Sequence, residues 1–219
     1  MQNRFERTGS MTDLDEAMES KRAAVAATPA DHPDRAGRLN NLGLALQNRF
    51  ERTGSMTDLD EAVESKRAAV AATPADHPDR AMYLNNLGNV LRIRFERAGT
   101  VTDLDEAVET GRAAVAGTPV DHLDRAGRLN NLGLALRDRF ERTGMMTDLD
   151  EAAAAWEETL RLDVAAPSRR IRAARNAAGP NIRHLAELRF AEGFGSGVAV
   201  GLRCRPSRAR VRRMPLPVF

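Results

Sequence analysis

Four features of this chain carry residue types that could do chemistry. Cys204 is the only thiol, and Arg203, Arg205 and Arg208 around it would favour a thiolate. A cysteine hydrolase also needs a histidine base held against the sulfur by an α/β scaffold, and the sequence around Cys204 does not read as one. His32, His77 and His122 recur in one context, Asp-His-Pro/Leu-Asp. Imidazole and carboxylate are metal ligands, but ligands stand about 2 Å from a shared ion. Equivalent residues of stacked helical units are about 8–10 Å apart. These histidines and their aspartates are therefore expected to start helices. Gly193, Gly195 and Gly197 form G-x-G-x-G without a preceding strand or a following Lys-Ser/Thr, so a phosphate loop is not expected. Residues 166–219 carry twelve arginines against Glu187 and Glu192. Such a segment could contact phosphates, yet it has few aromatics and no nucleic-acid motif. The expectation is a non-enzyme with no catalytic residue, no cofactor and no metal.

The elements that would position any site are repeated. Leu39-Asn40-Asn41-Leu42-Gly43 returns at Leu84–Gly88 and at Leu129–Gly133, 45 residues apart both times. Residues 2–46 and 47–91 agree at 40 of 45 positions, and residues 92–136 agree with the first at 34. A fourth copy starts at Arg137 and departs after Ala152. Within a unit, Leu39, Leu42, Gly43, Leu46 and Phe50 follow one face of an α-helix, predicted over Asp34 to Arg52. Asp31 is the expected N-cap with Pro33 in the first turn, and Gly54 the expected stop. A second helix is predicted from Thr57, where Thr57-Asp58-Leu59-Asp60 resembles a capping box. It is expected to bury Leu59, Ala62, Val63, Ala69 and Val70 and to end before Pro74. No stretch alternates with the period of a strand.

Hydrophobic residues make up 42% of the chain and aromatics 4%, with alanine and leucine supplying most of the apolar surface. That mix suits closely packed helices. One cysteine excludes an internal disulfide framework and fits a reducing compartment. The charged N-terminus has no apolar run behind it, and no stretch approaches a membrane span. A cytoplasmic protein is expected.

The repeat resembles the tetratricopeptide repeat, whose pattern is W-x2-L-G-x2-Y on a first helix, a small Ala on a second, and a closing Pro. Here Leu39-x2-Leu42-Gly43-x2-Leu46 is followed by Ala62, Ala69 and Pro74. Leucine replaces the aromatics, Lys66 stands where the second helix usually holds an aromatic, and the unit is 11 residues longer than the usual 34. The resemblance implies an all-α α-solenoid of stacked antiparallel helix pairs, with a longer first helix and loop. The wording LNNLGLALxxRFERTGxMTDLDEA is similar to arrays preceding CHAT-type, caspase-like protease domains in actinobacterial and fungal proteins. Residues 155–175 are similar to the helical region between array and protease in that family. The expected organisation is a partial repeat at 1–33, the array at 34–165, a helical linker or capping segment at 166–189, and a disordered Arg-rich tail at 190–219.

In tetratricopeptide arrays the face beside the buried stripe of the first helix lines a concave groove. That resemblance points to Asn40, Leu44, Gln47, Asn85, Asn89, Arg92, Asn130, Leu134 and Arg137 as partner-binding residues. Stacking would make a ladder of Asn40, Asn85 and Asn130, each able to donate to and accept from a peptide main chain, and Arg92 and Arg137 could take a carboxylate. Asn41, Asn86 and Asn131, nearer the packing edge, are expected to be structural. The expected partner is a protein or peptide held by a scaffold. Alternatives are a separate protease subunit bound by a detached regulatory arm, and nucleic acid bound by the tail. Met1 aligns with Leu46 and Leu91, inside a first helix, so self-association through terminal repeats is a further expectation.

Overall fold

The computed structural model describes residues 11–179, all eight regular elements of which are helical. They are α1 (Met11–Ala26), α2 (Arg35–Thr53), α3 (Met56–Ala71), α4 (Arg80–Ala98), α5 (Val101–Ala116), α6 (Arg125–Thr143), α7 (Met146–Arg161) and α8 (Pro167–Ala177). Helices α2–α3, α4–α5 and α6–α7 are the three antiparallel pairs, α1 packs on α2, and α8 packs on α7 and α6. A continuous core runs through the stack, from Met18 through Leu46, Leu59, Leu91, Val108 and Leu136 to Trp156 and Ala173. No unit closes its own core, so stability is shared between neighbours.

The first helices are 19 residues long, consistent with a lengthened unit. Each stops at a glycine in the left-handed region, Gly54, Gly99 and Gly144, with φ of 70°, 73° and 74°. A side chain there would be strained, and the glycine N–H closes on the phenylalanine carbonyl four residues back.

Two helix starts differ from expectation. Asp31 and Pro33 lie before the helix, and Asp34 holds the N-cap position without a side-chain cap bond. The histidine does the local work instead. His32, His77 and His122 accept through Nδ1 from the backbone N–H of Asp34, Asp79 and Asp124, at 3.1, 3.1 and 3.0 Å. The second helix begins at Met56 rather than Thr57, with Ser55 as N-cap accepting from Asp58 N–H. Asp58 is thereby placed in the first turn, where a carboxylate favours the helix dipole. Of the expected core of α3, Leu59, Ala62, Val63 and Ala69 are buried, and Val70 is half-buried against the core.

Close packing within a pair depends on the glycine of Leu-x2-Leu-Gly. A Cβ on Gly43 would stand 2.7 Å from Lys66 Cγ and 3.1 Å from the Ala62 carbonyl oxygen. On Gly133 it would stand 2.6 Å from Trp156 Nε1.

Candidate interaction face

Arginines hold the units together. Arg94 Nε and Nη2 clasp Asp103 at 2.8 and 2.7 Å, while Nη1 reaches Asp60 of the preceding unit at 3.3 Å. Arg139 does the same with Asp148 and Asp105, while Arg49 reaches Asp58 through Nε alone, at 2.8 Å, and Asp15 through Nη1 at 3.3 Å. The clasped aspartates are buried, so each guanidinium supplies the partner that a carboxylate withdrawn from water needs. On the second helices, Arg22, Arg67 and Arg112 grip Glu61, Glu106 and Glu151 of the next unit in bidentate pairs. Arg35, Arg80 and Arg125 donate to carbonyls that end the preceding second helix, among them those of Thr28, Thr73 and Thr118. A cation suits that end of the dipole.

The first-helix face carries most of the residues singled out for binding, and the structure brings them together in two tracks. The first track is asparagine. Asn86 Nδ2 donates to Asn40 Oδ1, Asn131 Nδ2 to Asn85 Oδ1, and Asn176 Nδ2 to Asn130 Oδ1, each at 3.0 Å. The ladder thus links the first asparagine of each doublet to the second asparagine of the next unit. Asn40 and Asn130 are buried in it, and Asn85 is half-buried. Asn176 extends it onto α8, which follows α2, α4 and α6 in the place of a fourth first helix.

The second track is a cation whose source moves. In α2–α3, Lys66 Nζ donates to Gln47 Oε1 at 2.6 Å, and Gln47 Nε2 reaches Glu51 at 3.3 Å. One unit on, the Lys66 position is Gly111 and the Gln47 position is Arg92. Two units on, they are Trp156 and Arg137. Arg92 pairs with Glu96 and with Asp138 (3.2 Å), and Arg137 with Asp138 (2.7 Å) and Glu141 (3.7 Å). Each unit keeps one cation beside the same glutamate, supplied by the second helix in one case and the first helix in the others. Lys66 is only 2% exposed, and burial pushes its pKa down to about 8 against a smaller opposing pull from Glu51.

Leu44 is exposed at 46%, Met82 at 37%, while Asn89 and Leu134 are half-exposed. Two clefts open on this face. One, of about 250 Å³, is lined by Met82, Asn85, Asn86, Asp124, Gly127, Arg128, Asn131 and Arg169. The other is lined by Phe95, Glu96, Arg137, Asp138, Glu141 and Arg142. The clasps, the Lys66 bond and the asparagine pairing escaped sequence reading. For the clasps and the pairing a signal was present, since Arg, Asp and Asn recur at fixed phase, but the partners lie 9, 34, 39 or 46 residues apart, and those of the Lys66 bond 19. Cys204, Gly193, Gly195, Gly197 and the tail at 190–219 lie outside the described residues.

The model of the tetratricopeptide repeat family matches residues 35–79, 80–124 and 125–161, one match for each helix pair and its loop. The chain belongs to the tetratricopeptide repeat family. Solved structures agree on the tetratricopeptide fold. A putative kinesin light chain of Podosopora anserina with nearly identical TPR-like repeats superposes with a TM-score of 0.59 at 20% identity, covering 87% of this chain and 88% of that one. A variant of that same kinesin light chain gives 0.60 at 21% identity, with the same coverage. MamA gives 0.53 at 18%, covering 86% of this chain and 90% of that one. No curated protein sequence matches the chain. Among the described residues, no helix is long and apolar enough to cross a membrane.

Proposed function

We propose that this tetratricopeptide array is a protein-interaction scaffold that holds a peptide or helix against its first-helix face. The observation that carries this is the position of both clefts. Both open between first helices, one lined by Asn85 and Asn131 beside the exposed Met82 and the other by Arg137, while the second helices pair their charges with one another. Membership in the family supports the scaffold role, and nothing in the site groups a nucleophile with a base. The likeness of the repeat to arrays preceding CHAT-type domains suggests a partner class for the same face, a separate caspase-like subunit.

The test is a selection of random 12-residue peptides displayed against the full chain. Peptides that bind the parent and lose at least about tenfold in affinity to Leu44→Asp and Met82→Asp support the reading. These two residues are solvent-exposed, so the charges leave the fold intact. Selected peptides indifferent to both substitutions would sink it.

A further inference from the structure

The two steps between first helices carry the same aromatic residue in different states. Phe50 on α2 is buried, and the Arg97 guanidinium of α4 lies over its ring, with Cζ 5.6 Å from the centroid. A cation and a ring face attract at that range. One unit on, the equivalents are Phe95 on α4 and Arg142 on α6. Phe95 is only half-buried, and Arg142 is exposed. Arg142 makes no hydrogen bond, ion pair or ring contact with a described residue. Both residues line the cleft between α4 and α6, of about 350 Å³, which Glu96, Arg137, Asp138 and Glu141 complete.

The two steps also differ in a wall residue. Ile93 packs against the core cluster that holds Phe50, and its equivalent is Asp138. Asp138 draws Arg92 and Arg137 onto itself, at 3.2 and 2.7 Å. An apolar wall has become an acidic one. The cleft thus joins a half-bare ring to three carboxylates, and of its two lining cations Arg137 is held by Asp138 while Arg142 is not held.

The closed step shows which chemistry such a ring takes, since a guanidinium covers Phe50. At Phe95, an aliphatic side chain would cover the ring but strip water from the carboxylates without pairing them. A carboxylate would meet three of its own charge. A guanidinium lies flat on an aromatic face and keeps its planar fork of N–H donors for carboxylates, which the compact ammonium of lysine does less well. Arg142 is the internal competitor for the same ring.

We propose that the cleft between α4 and α6 takes an arginine side chain of a protein partner, stacked on Phe95 as Arg97 is stacked on Phe50. Glu96 and Glu141 accept from its N–H groups. The proposal rests on the scaffold reading and names a residue that the partner brings.

The probes are blocked peptides Gly-Gly-Xaa-Gly-Gly with arginine, lysine, tyrosine or glutamate at the centre. Each is titrated into the full chain carrying isotope-labelled phenylalanine rings. The Phe95 resonance, assigned as the one lost in Phe95→Leu, is followed by NMR. The arginine peptide shifts it saturably, the lysine peptide binds at least about threefold more weakly, and the tyrosine and glutamate peptides leave it in place. Arg142→Ala removes the competitor and tightens the arginine peptide about threefold, while Glu141→Gln weakens it about threefold. Both positions are exposed, so melting temperatures stay within about 3 °C of the parent. A shift by the tyrosine peptide that Arg142→Ala abolishes would mean an aromatic ring held between Phe95 and Arg142, and would overturn the proposal. So would a Phe95 resonance that answers none of the peptides, or answers arginine and lysine alike. Leu44 and Met82 lie outside this cleft, so the two failures separate. Display peptides lost to Leu44→Asp and Met82→Asp beside a silent Phe95 leave the scaffold standing without the arginine site.

Discussion

The unit built around Lys66 and the unit built around Trp156 have the same helix pair, the same glycine contact and an arginine–aspartate pair at the same place, yet opposite fillings. In α2–α3 the space behind Gly43 holds a buried ammonium hydrogen-bonded to Gln47. In α6–α7 the space behind Gly133 holds an indole that is fully buried and whose Nε1 finds no acceptor among the described residues. The difference teaches that the backbone of the pair is set by the glycine and the clasp. The residue behind the glycine tunes stability and decides which helix must bring the cation.

Three experiments break or sharpen that contrast. The largest effect is expected from Trp156→Ala, which removes the largest fully buried side chain and should cost about 4 kcal/mol in urea denaturation. The cavity would also relieve Gly133→Ala, so the double variant should be more stable than the sum of the singles predicts. Additive losses would mean the indole does not press on the glycine. Next, Arg139→Ala should cost about 3 kcal/mol, because it strands the buried Asp148. Arg49→Ala should cost a similar amount if the clasp is the part the two units share. A clearly smaller loss in α2 would tie clasp strength to the second guanidinium bond, which Arg139 makes to Asp148 and Arg49 does not make to Asp58.

The smallest effect is expected at Lys66, and its pH dependence has a definite sign. The folded pKa, about 8, lies below the 10.5 of an unperturbed lysine. Between those values the unfolded chain binds the extra proton, so parent stability should rise as pH climbs from about 8 to 10. Lys66→Met lacks this titration. Its advantage at pH 7, on the order of 2 kcal/mol, should shrink across that window when melting curves are compared. A constant gap would show that the ammonium is better solvated than its burial implies.

Much of the architecture was legible because hydrophobic period and punctuation are local signals. Leu39, Leu42, Leu46 and Phe50 with Gly54 placed the first helix within a residue of Arg35–Thr53. The capping residues at both starts were misassigned where side chains compete for the same backbone donors. Asp31 looked like a cap, but His32 takes the Asp34 N–H. Thr57 looked like a cap, but Ser55 holds that position. At the interaction face, the resemblance of the repeat singled out Asn40, Asn85 and Asn130, and Asn86 and Asn131 were assigned to the packing edge. It could not show that the two sets bond to each other, because those contacts form only when units stack.

The ties between units recur at constant offsets: 39 residues for Arg–Glu, 34 for Arg–Asp and 46 for Asn–Asn. The Lys66–Gln47 bond lies inside one unit and travels with it. A gene encoding such a chain can gain or lose 45 codons by unequal recombination and still give every one of these recurring contacts a partner. Length becomes a heritable variable that changes in whole steps. The same interchangeability carries a kinetic hazard, since during folding α2 meets in α5 nearly the surface that α3 offers, and a chain that skips a unit gains most of the native bonds before the error is exposed.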